Sequence, residues 1–213
     1  MATPIGNLKD ITFRAVEVLS KVDIVACEDT RRTRILLQNY QIKKPLLSYF
    51  EYNKLKRIDY IIEALRGGKD IALVSDAGMP GISDPGIGLI QRVIEEKLSV
   101  EVIPGPTAFA TALVASGFAI HKFIFEGFLP AKSGARRKAL QALQSEKRTI
   151  AFYESPHRLL KTLEDIKEVL GNRKIVVARE LTKHFEEIRR ESVEETIAYF
   201  KSKKPKGEFV IIL

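Results

Sequence analysis

Short β-branched runs alternate with amphipathic helical stretches along almost the whole chain, and this alternation limits the possible folds more than any other feature. Val22 to Cys27 reads as a buried strand and Leu46 to Tyr49 as a short one. Asp70 to Ser75, Val100 to Ile103, Lys122 to Glu126, Thr149 to Glu154, Lys174 to Glu180, Glu187 to Glu191 and Glu208 to Leu213 also read as strands. Between them, Thr30 to Tyr40 has helical spacing, with Ile35, Leu36 and Leu37 on its apolar side. Asn53 to Leu65 places Leu55, Ile58, Ile61, Ile62 and Leu65 on one helical face. Gly86 to Lys97, the small-residue run Thr107 to Ser116 and the basic run Ala135 to Ser145 read as helices too. Pro156 to Leu170 does as well, with proline in the first turn, where its missing N–H costs nothing. Ser192 can cap a helix running to Lys201, with Glu195 at the capping-box position. The pattern predicts α/β layers with largely parallel sheets.

A chain of 213 residues suits one large domain or two small ones. Its 45% apolar and 29% charged residues exclude disordered and collagen-like architectures. No apolar run approaches the roughly 18 residues that a membrane span needs, and no basic stretch with an apolar core opens the chain. The single cysteine, Cys27, can form neither an internal disulfide nor a thiolate cluster. These features predict a cytoplasmic chain without structural zinc. The net charge of +8 is uneven: residues 1–117 carry +1 and residues 118–213 carry +7. Ser116 to Ile120 therefore reads as a joint, and two α/β domains, 1–117 and 118–213, are expected. A basic half fits a polyanionic partner, nucleic acid first; a lysine-rich solvated surface is the plainer explanation, and charge does not choose between them.

There is no phosphate-binding P-loop, no dinucleotide fingerprint after a strand and no H-E-x-x-H. Gly81 to Gly86 misses the nucleophile-elbow spacing by one residue, and His121, His157 and His184 lie too far apart for a ligand set. No metal is expected. Glycine and proline instead cluster just after strands, where α/β sheets bind ligands. Thr3 to Asn7, Ser75 to Gly86, Pro104 to Ala108 and Tyr153 to Arg158 are four such loops. The second spans twelve residues, longer than a simple turn requires, with glycines that admit close backbone approach and prolines that stiffen it. Cys27 to Arg34 reads either as a capped, solvated helix start or as a polar wall with arginines for phosphates.

The segments ATPIGNLKDIT, EDTRRT, SDAGMPGISDPG, PGPTA, FEGFLP, FYESPHR and ARELTKHFEE occur here in the order found in one family. Through them the chain resembles, over nearly its whole length, the class III S-adenosylmethionine (SAM) enzymes of the tetrapyrrole-methylase superfamily, in its branch acting on small-subunit ribosomal RNA. The resemblance implies two α/β domains with a SAM-binding cleft between them. It implies 2′-O-methylation of a cytidine ribose in 16S ribosomal RNA at the decoding site, by a cytoplasmic homodimer. Relatives usually begin with a strand before ATPIGN and continue into a helical segment after the last strand; both read as missing, so the first loop is expected to lack an anchor.

The same resemblance assigns residues. Pro4 closes one side of the SAM pocket; Ser75, Asp76, Ala77 and Ile82 meet the methionine half; Thr107 and Ala108 lie beside it at a helix start; Tyr153 and Thr182 meet the adenine and ribose. Arg31, Arg32, Arg34, Phe128, Lys132, Arg136, Arg137 and Lys138 are the expected RNA contacts, with Phe128 stacking on a base or plugging the domain joint. Methyl transfer needs alignment of the ribose oxygen, and a base helps by taking its proton. Asp84 is the first candidate base, with Glu28, Asp29 and Glu154 behind it, although Asp84 could equally stabilise a turn. His157 is expected to orient structure. A small-molecule tetrapyrrole methyltransferase would use the same SAM loops, but the +7 half favours RNA. A non-catalytic RNA-binding protein would have no use for the twelve-residue loop.

Overall fold

The computed structural model describes residues 1–50 and 54–213. They fall into two compact units, Met1–Thr107 and Ala108–Leu213. Asn53, the expected helix start, and the Leu55 side chain lie outside the described residues.

The first unit contains α1 (Phe13–Lys21), β1 (Ile24–Cys27), α2 (Thr30–Asn39), β2 (Leu46–Ser48), α3 (Lys54–Arg66), β3 (Ile71–Val74) and α4 (Gly86–Glu95). Its three strands are parallel in the order β2-β1-β3. The central strand is covered on both faces, which explains why its sequence, IVAC, is apolar throughout. Val25 and Cys27 face a cluster with Leu19, Leu37 and Val74. Ala26 faces the opposite cluster, with Tyr49, Ile61, Ile62 and Leu89. Each such leucine or isoleucine contributes about 1.5–3 kcal/mol through burial. Thr12 starts α1 by accepting the Ala15 N–H at 3.1 Å.

Three expectations fail in this unit. Val100 to Ile103 forms no strand. The alternation is present, but the segment has no ladder; Ile103 only accepts the Ala2 N–H at 3.1 Å. Ile35 is 60% exposed, because α2 buries Thr33, Leu36 and Leu37 along its i, i+3, i+4 stripe and Ile35 lies off it. The first loop is anchored as well: Ala2 and Thr3 are buried, and Thr3 and Gly78 exchange backbone bonds of 2.9 and 3.0 Å.

The second unit contains α5 (Ala108–Ser116), β4 (Phe123–Phe128), α6 (Ser133–Ala142), β5 (Thr149–Glu154), α7 (Leu159–Leu170), β6 (Lys174–Arg179), β7 (Glu187–Ser192), α8 (Val193–Ser202) and β8 (Phe209–Ile212). Helix α5 packs against β5, β7 and β8, so this unit begins at Ala108, ahead of the charge-based joint at 117/118. The five strands run β4-β5-β8-β6-β7. Only β4–β5 is parallel; the other three pairings are antiparallel, a departure from the parallel expectation. Alternation of elements does not reveal that β8, the last strand, inserts between β5 and β6. Phe152, Val177, Phe209 and Ile211 pack with Leu140, Leu163, Ile166 and Phe200 from the helices. Helix α7 starts at Leu159, three residues after Pro156, which stays in the preceding turn. Ser192 and Glu195 form the expected reciprocal capping box on α8. Among the described residues no helix is long and apolar enough to cross a membrane.

Candidate active site on the first sheet

Because β1 and β3 are parallel neighbours, their C-terminal ends emerge side by side. Glu28-Asp29 leaves the first and Ser75-Asp76 the second. The Asp29 N–H donates to Asp76 Oδ1 at 2.9 Å, tying the two loops together. Asp29 also caps α2, accepting the Arg31 N–H at 2.8 Å and a fork from the Arg31 guanidinium at 3.0 and 2.7 Å. These bonds from Arg31 hold the Asp29 carboxyl at about 2. Arg32 lies 3.6 Å from Asp76 Oδ2. Glu28 keeps solvent access, yet its carboxyl is pushed up, first by partial burial and then by the negative charges of Asp76 and Asp84, with Arg32 acting against them.

The loop after β3 is a sequence of backbone-satisfied turns. Ser75 Oγ donates to the Gly78 carbonyl at 3.1 Å, and Thr3 Oγ1 donates to the Ser75 carbonyl at 3.1 Å. Gly78 has a φ of 82°, and a Cβ there would lie 3.5 Å from Ile5 and 3.6 Å from the Pro106 carbonyl. Three of the glycine- and proline-rich loops thus converge on Gly78, bringing Pro4, Ser75 and Thr107 into one neighbourhood. Asp84 Oδ1 accepts the Gly81 N–H at 2.8 Å and the Gly86 N–H at 2.7 Å, so this carboxylate closes the loop. Ala77 is exposed, and Ile82 is half-buried on the same loop.

A cleft of about 210 Å³ is lined by Thr3, Pro4, Leu8, Arg32, Thr33, Ile35, Leu36, Ser75 and Asp76. Of the expected SAM contacts, Pro4, Ser75 and Asp76 line it directly. Thr3, Leu8, Thr33 and Leu36 were not among the expected SAM contacts. Thr33 and Leu36 are one helical turn apart, which could have paired them. Exposed Ile35 supplies an apolar wall here.

In the second unit, Tyr153 belongs to an aromatic group. Its ring centroid lies 5.0 Å from that of Phe125 and 5.5 Å from that of Phe128, and Phe109 stacks on Phe125 at 4.4 Å. Gly127, with a φ of 63°, makes the bulge that sets Phe128 opposite Tyr153. Burial pushes the Tyr153 hydroxyl up, with a hydrogen bond to the Phe109 backbone working against it. Phe128 remains 53% exposed. Thr182 sits in a left-handed conformation with a φ of 66°, its N–H donating to Glu186 at 2.5 Å.

The expected RNA contacts divide sharply. Arg34, Lys132 and Lys138 are exposed, as are Arg31 and Arg32 despite their carboxylate partners. Arg137 is 43% exposed and bound to Asp165 and Glu168. Arg136 contradicts the expectation: it is 2% exposed, paired to Asp165 at 2.6 Å, and it donates to the Ala131 carbonyl at 3.0 Å. Its place on the Leu140–Leu143 stripe of α6 turns it inward. Glu154 fails as a base for a similar reason. It is 2% exposed and accepts from Ser155, Arg158 and Thr162. His157 is exposed in the turn before α7. Among the described residues no group of three or more His, Cys, Asp or Glu side chains is arranged to hold a metal ion.

The profile of the tetrapyrrole (corrin/porphyrin) methylases matches residues 2–197. A Thermotoga maritima protein named ribosomal RNA small subunit methyltransferase I is 52% identical over 213 residues, covering all of this chain and 96% of the relative. The Synechocystis protein of the same name is 50% identical over 214 residues, covering all of this chain and 77% of its own. Among solved structures, a cobalt precorrin-4 methyltransferase of cobalamin biosynthesis superposes with a TM-score of 0.73 at 19% identity, over all of this chain and 92% of that one. The uroporphyrin-III C-methyltransferase of Thermus thermophilus gives a TM-score of 0.70 at 18% identity, over 99% of this chain and 90% of that one. These two likenesses speak for the fold.

Proposed function

Since the chain belongs to the tetrapyrrole (corrin/porphyrin) methylases and, within them, to the ribosomal RNA small subunit methyltransferase I family, we propose that it methylates the 2′-hydroxyl of a cytidine in small-subunit 16S ribosomal RNA with SAM. The observation that carries the reading is identity of 50–52% along the entire chain to relatives named for that RNA. The first-sheet cleft supports it chemically. It offers a carboxylate, Asp76, a guanidinium, Arg32, and the apolar Leu8, Ile35 and Leu36. That donor set fits an amino-acid zwitterion joined by an apolar methylene stem to a sulfonium.

When bound, SAM supplies an activated methyl group on a sulfonium sulfur. The chain's task is to bind, align and exclude water. On this reading Pro4 closes the pocket, and Ser75, Asp76, Ala77 and Ile82 hold the methionine half through side chain and backbone. Thr107, at the end of the same unit, flanks it. Arg31, Arg34, Arg137, Lys132 and Lys138 contact phosphates, and half-exposed Phe128 stacks on a base. Asp84 shapes the loop. The working state is a homodimer in the bacterial cytoplasm. Incubation with methyl-labelled SAM and purified small subunits tests the proposal. Label should enter the ribosomal RNA without added metal. Label entering only a tetrapyrrole acceptor would overturn it.

A further inference from the structure

Of the four carboxylates expected as candidate bases, Glu154 and Asp29 are fully engaged and Asp84 is held through one oxygen. Glu154 is buried within its own bonds to Ser155, Arg158 and Thr162. Asp29 spends both oxygens on Arg31. Asp84 Oδ1 is held by two loop amides. Glu28 differs from all three. It follows directly on β1, the central strand of the first sheet, at the edge where parallel α/β sheets place their ligands. It is exposed, and among the described residues it makes no hydrogen bond or ion pair.

We infer that Glu28 is the catalytic residue that takes the proton of the attacking ribose hydroxyl, an assignment that rests on the methyl-transfer reading above. The 2′-oxygen forms its bond to the methyl carbon while the carbon–sulfur bond breaks, and that electron pair stays on sulfur. The hydroxyl proton passes to a Glu28 carboxylate oxygen and then to water. The charged groups acting on Glu28 suit this role. Partial burial makes it more basic, as do Asp76 and Asp84, on the loop after β3, and Asp29, at the start of α2, while Arg32, one turn along α2, acts against them. An unpaired carboxylate more basic than usual, within reach of solvent, can accept a proton and return it.

Glu28→Gln and Glu28→Asp test the assignment. Single-turnover methyl transfer to small subunits should fall about 10²–10⁴-fold in Glu28→Gln, with SAM affinity by calorimetry unchanged, and Glu28→Asp should recover part of the rate. The wild-type rate should rise with pH through one ionisation that Glu28→Gln lacks and Asp84→Asn retains. Independently of activity, carbon-13 NMR of the Glu28 carboxyl should titrate above the ordinary glutamate range. A near-wild-type rate in Glu28→Gln, or an ordinary titration of Glu28, overturns the assignment and leaves the function standing. Absence of transfer by the wild-type chain overturns the function and the assignment together.

Discussion

Replacing Asp165 with asparagine should unfold the second unit more readily than any surface change in the same helices. Asp165 lies on α7 at 3% side-chain exposure, against Arg136 of α6 at 2%. Its oxygens accept from Arg136 Nε at 2.7 Å, Arg137 Nε at 2.7 Å and the Ser133 hydroxyl at 3.0 and 3.1 Å. Burial alone pushes this carboxyl up, but the bonds from Arg137, Arg136 and Ser133 outweigh it and hold it below the usual range. Asp165→Asn leaves the Arg136 guanidinium buried without a counter-charge, and removing one partner of a buried pair costs about 3–5 kcal/mol. Arg136→Met is milder, because Asp165 keeps Arg137 and Ser133; the loss should be about 2 kcal/mol, the scale of hydrogen bonds to a charged group.

Urea unfolding followed by circular dichroism measures both losses. The pH dependence has a definite sign: a depressed folded-state pKa gives stability that is present above the unfolded value of about 3.9 and lost as pH falls through the folded value. Wild-type stability should therefore fall on acidification more steeply than that of Asp165→Asn. Midpoints of both variants matching wild type at neutral pH would refute the buried-pair argument and return Arg136 to the surface as a phosphate ligand.

Three further outcomes are expected. Lys132→Ala with Lys138→Ala should weaken small-subunit binding and flatten the dependence of log affinity on log salt by about 0.7–0.9 for each phosphate that is no longer neutralised, with SAM affinity unaltered; equal slopes would leave both lysines on the solvated surface. Ala77→Leu should weaken SAM in calorimetry while thermal unfolding stays at the wild-type temperature, because Ala77 is exposed on its loop; unchanged affinity would move the ligand away from this loop. Ser192→Ala removes one half of the α8 capping box and should cost about 0.5–2 kcal/mol in urea unfolding; no loss would mean the cap is replaced by water.

Local physics makes much of this fold readable in the sequence. The run DIALVS marks β3, and Ser192 with Glu195 marks the start of α8, because burial on a strand and a cap on a helix depend on residues a few positions apart. The loop Ser75 to Gly86 is legible because Gly78 and Gly81 take positive φ angles that most residues resist and its prolines stiffen the chain. What depends on distant partners is not legible. The V-E-V-I segment alternates like a strand but finds no ladder, and the antiparallel insertion of β8 leaves no local trace. Composition misplaces Arg136, although its spacing to Leu140 and Leu143 sets it on the buried face of α6. Glu28 and Asp84 cannot be ranked from sequence, since the bonds that occupy Asp84 come from the turn it closes.

Nucleoside analysis of small-subunit RNA after treatment with this protein and SAM decides where the methyl goes. Subunits isolated without the modification are incubated with the chain, and their RNA is digested to nucleosides and resolved by mass spectrometry. One new 2′-O-methylcytidine per subunit is expected, its methyl carried on the ribose fragment. A methyl on the base fragment, or no gain over subunits incubated with SAM alone, would contradict it.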